Sequence, residues 1–319
     1  MTTKLVPRGP EDLLAVAPIV LGFHPEESLV MLTFGAARSF HARLDLPPPG
    51  DDAAVDDAVH ALLGPSRTHG VEHVAFVVYS EHPAQAARLA AALVPAFVAD
   101  GIGVIDVLRA HDGRWCSVPI RAGADESPPV PYDVTHHPFA ARAVFEGRVT
   151  RRSREELRST LAPDPDRRLR WGDLIETLPP PGPADVRRVA DLVAAWVTSG
   201  TDPEDEGAAQ VLRAVTHPDV RDAALCSVTR ARATEHVRVW SALLRGAPDP
   251  QVPDTAAVTA FCAWLSGDGA LAWCALDRCF EVDPDHRLGS SLGECLTRAM
   301  PPSTWEEVVP EAETRSDSA

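Results

Sequence analysis

Hydrophobic positions in the first part of the chain change period repeatedly, and each change marks an element. Pro10 stands where a first-turn proline is tolerated, and Glu11, Asp12, Leu13, Leu14 and Val16 predict a short helix that Pro18 ends or bends. Residues 28–34 are strand-forming by composition, 35–39 read as a turn, and 40–46 alternate as the hairpin partner, stopped by Pro47, Pro48 and Pro49. The segment 51–63 is acidic at its start and apolar at Val55, Val59, Leu62 and Leu63, the spacing of a helix with one face on a core. Residues 71–79 are apolar over their second half, which predicts a strand buried on both faces, and 83–98 predict an alanine-rich helix. Two further strands follow at 103–109 and 114–118, around a turn at 111–113. The order β-β-α-β-α-β-β implies a mixed sheet with flanking helices.

Beyond a polar, proline-bearing stretch at 123–131 the strand signal disappears. Residues 138–146 are apolar at helical spacing, and Ser153 with Glu156 three residues on is a capping-box start. Further helices are predicted at 184–198, 205–215, 220–231, 234–244, 255–266, 270–282 and 287–299. The expected architecture is therefore α+β or α/β: a mixed α/β domain over 1–135, an all-helical domain over 136–308, and a disordered tail over 309–319. Small residues at Ala260, Ala272 and Cys279, with Leu276 and Pro284, are similar to the later part of a tetratricopeptide repeat. No second copy recurs at about 34 residues, so a single helical hairpin capping a bundle explains the same positions.

Composition narrows the function classes. Apolar residues make up 45% and charged residues 24% of the chain, and the apolar ones fall in short runs, which is the pattern of a soluble globular protein. The opening residues 1–4 lead directly into acidic and apolar positions without a signal-like segment, so a cytoplasmic location is expected. Cys116, Cys226, Cys262, Cys274, Cys279 and Cys295 form no Cys-x-x-Cys pair and read as reduced core residues. A net charge of −16 repels phosphate backbones and disfavours nucleic acid as a partner.

The chemistry-bearing positions are few. His24, Glu26 and Glu27 lie in a loop at a helix-to-strand junction and offer general acid, base or ligand groups. Arg43 and Asp45, two apart on the partner strand, point to one face, so His24, Glu27, Arg43 and Asp45 form a candidate ligand-binding cluster. The plainer alternative is an ion pair at a sheet rim with His24 capping a turn. His69 with His73, and His136 with His137, lack the companions a metal site needs, and no metal or cofactor is expected. Gly-x-Ser-x-Gly, phosphate-loop and dinucleotide-turn motifs are missing, and Lys4 is the only lysine, which removes Schiff-base chemistry. The arginines Arg148, Arg151, Arg152, Arg154, Arg158, Arg167, Arg168 and Arg170 concentrate positive charge, suited either to an acidic partner or phosphate, or to solvated helix faces paired with nearby acids.

Several segments together resemble an actinobacterial family known as domain of unknown function 4192. They are Leu21-Gly-Phe-His-Pro-Glu-Glu-Ser-Leu-Val30, Arg43-Leu-Asp-Leu-Pro47, Phe145-Glu-Gly-Arg148 with Ser153-Arg-Glu-Glu-Leu157, and Leu265-Ser-Gly-Asp-Gly-Ala-Leu-Ala272 with Asp283-Pro284. The resemblance names a group and implies no activity. The expected role is a non-catalytic interaction or regulatory protein with a helical docking surface for a protein partner; the alternative is an enzyme of unfamiliar type acting on a small molecule or nucleotide at the His24, Glu27, Arg43 and Asp45 cluster.

Overall fold

The computed structural model describes residues 8–36, 40–119, 126–145 and 149–308. The chain divides into two compact units, Met1–Arg154 and Glu155–Ala319. The first unit thus runs on past residue 135, and local bonding explains why. The His137 imidazole meets the Asp12 carboxylate at 3.0 Å, and Phe23 bridges to Arg151, whose backbone exchanges hydrogen bonds of 2.7 and 2.9 Å with Gly22 and His24. The expected tail over 309–319 lies outside the described residues.

The first unit holds one mixed sheet, with β1 Ser28–Phe34, β2 His41–Asp45, β3 His73–Tyr79, β4 Gly103–His111, β5 Arg114–Ser117 and β6 Val130–Pro131. Their order is β2-β1-β3-β4-β5-β6, parallel only between β3 and β4. The short strand β6 was not legible in the polar stretch, and its Pro131 is tolerated because the strand is at the sheet edge. The turn between β4 and β5 carries Asp112 at φ 46 and Gly113 at φ 66, the two left-handed positions that a tight hairpin of right-twisted strands requires.

Period-two alternation sends Leu29, Met31, Val74, Phe76 and Val78 to one face. There they pack with α2 (Asp52–Thr68) and α3 (Pro83–Ala99) through Val55, Leu62, Leu89 and Phe97. Val30, Leu32, Ala75 and Val77, buried on the other face, leave that side to α1 (Pro10–Leu21), which contacts β1, β2 and β3. Of the two outcomes expected at Pro18 the helix does not end there: α1 runs through Pro18 to Leu21 and ends at Gly22 with φ 76. An internal proline costs about 3 kcal/mol. Burying Ile19 and Leu21 beyond it returns roughly 1.5–3 kcal/mol each, enough to carry the helix on.

The second unit is helical throughout its described residues. With α4 (Pro138–Phe145) packed on α1 in the first unit, the second unit follows α5 (Arg154–Ser159) with α6 (Pro165–Thr177), α7 (Asp185–Ser199), α8 (Asp205–Ala214), α9 (Pro218–Cys226), α10 (Ala233–Gly246), α11 (Val252–Ser266), α12 (Gly269–Val282), α13 (Arg287–Thr297) and α14 (Ser303–Val308). Helix α6 was not foreseen, because arginines obscure its apolar stripe. Its start is nevertheless standard: Asp164 accepts the Arg167 N–H at 3.1 Å and Pro165 occupies the first turn. Helix α11 is buried on every side, as a central helix must be, and packs on α9, α10, α12 and α13. Gly267 at φ 89 and the Asp268 cap on Leu271, 2.9 Å, turn α11 into α12 as the expected helical hairpin. Because α10 also packs back on α6 and α7, the array closes as a bundle. No helix among the described residues is long and apolar enough to cross a membrane.

Candidate functional site

The register of β1 against β2 sets Ser28 opposite Asp45 and Val30 opposite Arg43. Directly opposed residues share a face, so Ser28, Arg43 and Asp45 meet at the end of the sheet. Arg43 Nη2 lies 2.7 Å from Asp45 Oδ1, Arg43 Nε donates to Ser28 Oγ at 2.9 Å, and Ser28 Oγ donates to the Glu26 carbonyl at 2.6 Å. Burial holds the Arg43 pKa below its ordinary value, with Asp45 opposing in part and Arg154 adding a smaller lowering. Tyr79, the partner of Ser28 on β3, is buried with its hydroxyl unpartnered among the described residues, and desolvation raises its phenol pKa.

His24 and Glu27 behave differently. Both are exposed, and neither side chain makes a hydrogen bond or ion pair among the described residues. Their backbones do the positioning: the His24 N–H donates to Arg151 at 2.9 Å, and the Glu27 carbonyl, at a left-handed φ of 40, accepts the Leu46 N–H at 3.2 Å. The fold therefore pairs Arg43 directly with Asp45 and bonds it to Ser28, while His24 and Glu27 stay on a solvent-facing turn. Ser28 donates its proton to a carbonyl and Arg43 is engaged by Asp45, so the trio orders the strand opening. Arg43→Ala is expected to lower stability by about 1–3 kcal/mol, read as a shift in the urea midpoint, by stripping the hydrogen-bonded partner from buried Ser28.

A cavity of about 380 Å³ lies on the opposite face of the sheet, where the β2–α2 and β3–α3 loops meet. Pro47, Pro49 and His82 line its walls, Val55 and Leu89 connect it to the core, and Arg88, paired with Asp52 at 2.6 Å, stands beside it. Gln85 fastens the two loops together. Its Nε2 donates to the Pro47 carbonyl at 2.8 Å and its Oε1 accepts from Ser80 Oγ at 3.1 Å, while Ser80 Oγ accepts the His82 N–H at 3.1 Å. Sequence reasoning took the three prolines only as a strand stop; the signal that could have found the cavity is a stiff proline run between a strand and a capped helix.

The remaining candidates resolve into local contacts. Phe40 meets the His69 ring edge-on at 5.3 Å, and among the described residues no three His, Cys, Asp or Glu side chains are placed to hold a metal. Among the arginines, Arg158 pairs with Glu281, Arg168 with Asp249 at 2.5 Å, and Arg170 with Asp205 at 3.1 Å, which disperses the positive stretch into ion pairs between segments. Arg148 lies outside the described residues. All six cysteines are free thiols, but Cys226 is exposed and Cys295 half-buried, so the core expectation fails for those two.

No curated protein and no solved structure matches the chain significantly. A family model described as a domain of unknown function (DUF4192) matches residues 10–303, a span that takes in both compact units and all four sequence segments singled out above. The chain belongs to the DUF4192 family.

Proposed function

We propose that this is a non-catalytic, cytoplasmic interaction or regulatory protein whose first unit binds a small molecule and whose helical unit docks a protein partner. The observation that carries this reading is the cavity of about 380 Å³ at the carboxyl ends of β2 and β3. Loops at strand carboxyl ends, held on a rigid sheet, are where α/β folds bind ligands, and the volume lies within the ordinary range for small-molecule sites. Walls dominated by proline, valine and leucine, with one arginine and one histidine beside them, suit an apolar body bearing a single polar group. The free thiols support a reducing compartment, and a net charge of −16 favours a protein or small molecule over a nucleic-acid backbone.

Thermal-shift screening of the full chain against a metabolite and nucleotide panel tests this. A hit is expected to lose its shift in Ala84→Trp, which fills the cavity from an exposed position, and to keep it in Arg43→Ala, on the other face. Turnover of the bound compound would sink the non-catalytic reading; a shift that survives Ala84→Trp would sink the cavity.

A further inference from the structure

Helix α12 carries an arginine buried deep in the second unit. Arg278 is only 7% exposed, and its Nη1 donates to the carbonyls of Leu161 and, at 3.3 Å, Leu244. A guanidinium has five N–H donors in a planar fork. Here Nε and Nη2 make no hydrogen bond, and Arg278 forms no ion pair, among the described residues. They are also not sealed within the protein, for the same side chain lines a cavity of about 310 Å³.

The other charges around that cavity are accounted for. Arg158 holds Glu281 and Arg168 holds Asp249, while Glu155 is exposed and screened by solvent. Arg278 is thus a desolvated cation facing open space without a carboxylate of its own. Burial pulls its pKa down, with Glu281 and Asp249 only partly opposing that from a distance and Arg168 adding to it. Such a charge is stabilised most by an oxyanion placed in the plane of the fork, since two parallel N–H bonds then replace lost hydration.

We propose that this cavity binds the oxyanion end of a small molecule, a carboxylate or a phosphate group, seated on Nε and Nη2 of Arg278. Val252 and Val282, also in the lining, would face the apolar part of such a ligand. This site is separate from the cavity of the first unit and stands or falls independently of it.

Titration calorimetry of the full chain at constant ionic strength, with inorganic phosphate in one arm and succinate in the other, tests the assignment and separates the two sources. Saturable one-to-one binding of at least one probe is expected. Affinity should fall about tenfold or more in Arg278→Met, which loses the charge-assisted bonds. Ala162→Trp blocks the cavity from an exposed lining position and leaves every bond of Arg278 in place, so it decides the case in which Arg278→Met does not fold. Saturable binding abolished by Ala162→Trp supports the site. Absence of saturation with both probes, or affinity unchanged in Ala162→Trp, overturns it.

Discussion

Trp171→Ala is expected to destabilise the helical unit by about 3–5 kcal/mol, the range for truncating a large buried aromatic. Trp171 on α6 has no exposed surface. Its indole Nε1 donates to Asp205 Oδ1 on α8 at 2.6 Å, and its ring lies so close to α10 that a Cβ on Gly246 would sit 2.3 Å from Cζ3. One side chain therefore joins three helices, and position 246 is glycine because the ring occupies the space. The Arg167 guanidinium lies 5.7 Å from the ring centroid and adds a cation–π contact. The carboxyl of Asp205 is held below the usual carboxylate range, first by the indole bond and then by Arg170, so the alanine variant also removes the larger cause of that lowering. Urea unfolding followed by circular dichroism checks the magnitude, and Trp171→Phe separates ring packing from the hydrogen bond. A loss near 1 kcal/mol or less in the alanine variant would mean that the three helices do not depend on this ring.

Acidification is expected to weaken the same unit through His236. This imidazole on α10 is 6% exposed, its Nδ1 has no partner among the described residues, and its pKa is lowered to about 4, mainly by desolvation, with Arg232 adding and Glu235 opposing. Since the folded pKa lies below the ordinary value of about 6.5, the unfolded chain binds a proton that the folded chain refuses. Stability is therefore intact above about pH 6.5 and declines as the pH falls toward 4, by about 3 kcal/mol at that lower limit. His236→Phe keeps a ring in place and removes the titration, so its stability should depend less on pH between about 7 and 5 than that of the native chain. Parallel curves for the two proteins would show that His236 is not the responsible group. In the first unit the half-buried His41, whose Nδ1 accepts the Thr33 N–H at 3.3 Å, also has its pKa lowered to about 4 by desolvation. Loss of stability in acid should consequently appear in both units.

Local pattern made much of this architecture readable. The strand-forming composition of β1, the alternation of β2, the apolar run of β3 and the 3.6-residue spacing of α2 and α10 were each legible, with β1 and β3 buried on both faces and the two helices on one. That Arg43 and Asp45 share a face was readable too, because residues two apart on a strand must share a side; their direct pairing came with the structure. Helix α6 was hidden, since its arginines are balanced by Asp164, Asp202, Asp249 and Asp205, and a local window cannot see the more distant of these acids. The run of α1 past Pro18 was hidden for a related reason: the local cost of a proline is visible in sequence, whereas the burial that offsets it is not.

The sequence by itself determined that a mixed sheet precedes a helical array, that the family resemblance holds, and that Arg43 and Asp45 share a face. These follow from periodicity and short-range stereochemistry, which act within a few residues. Only the tertiary structure decided that His24 and Glu27 stay exposed while Ser28 joins the ion pair, and that Gln85 bonds to Pro47 beside a cavity. It also decided that Arg278 reaches the carbonyls of Leu161 and Leu244 through Nη1, with Nε and Nη2 unspent. Each of those joins groups far apart along the chain, and their proximity is set by how whole elements pack, a condition that no local pattern encodes.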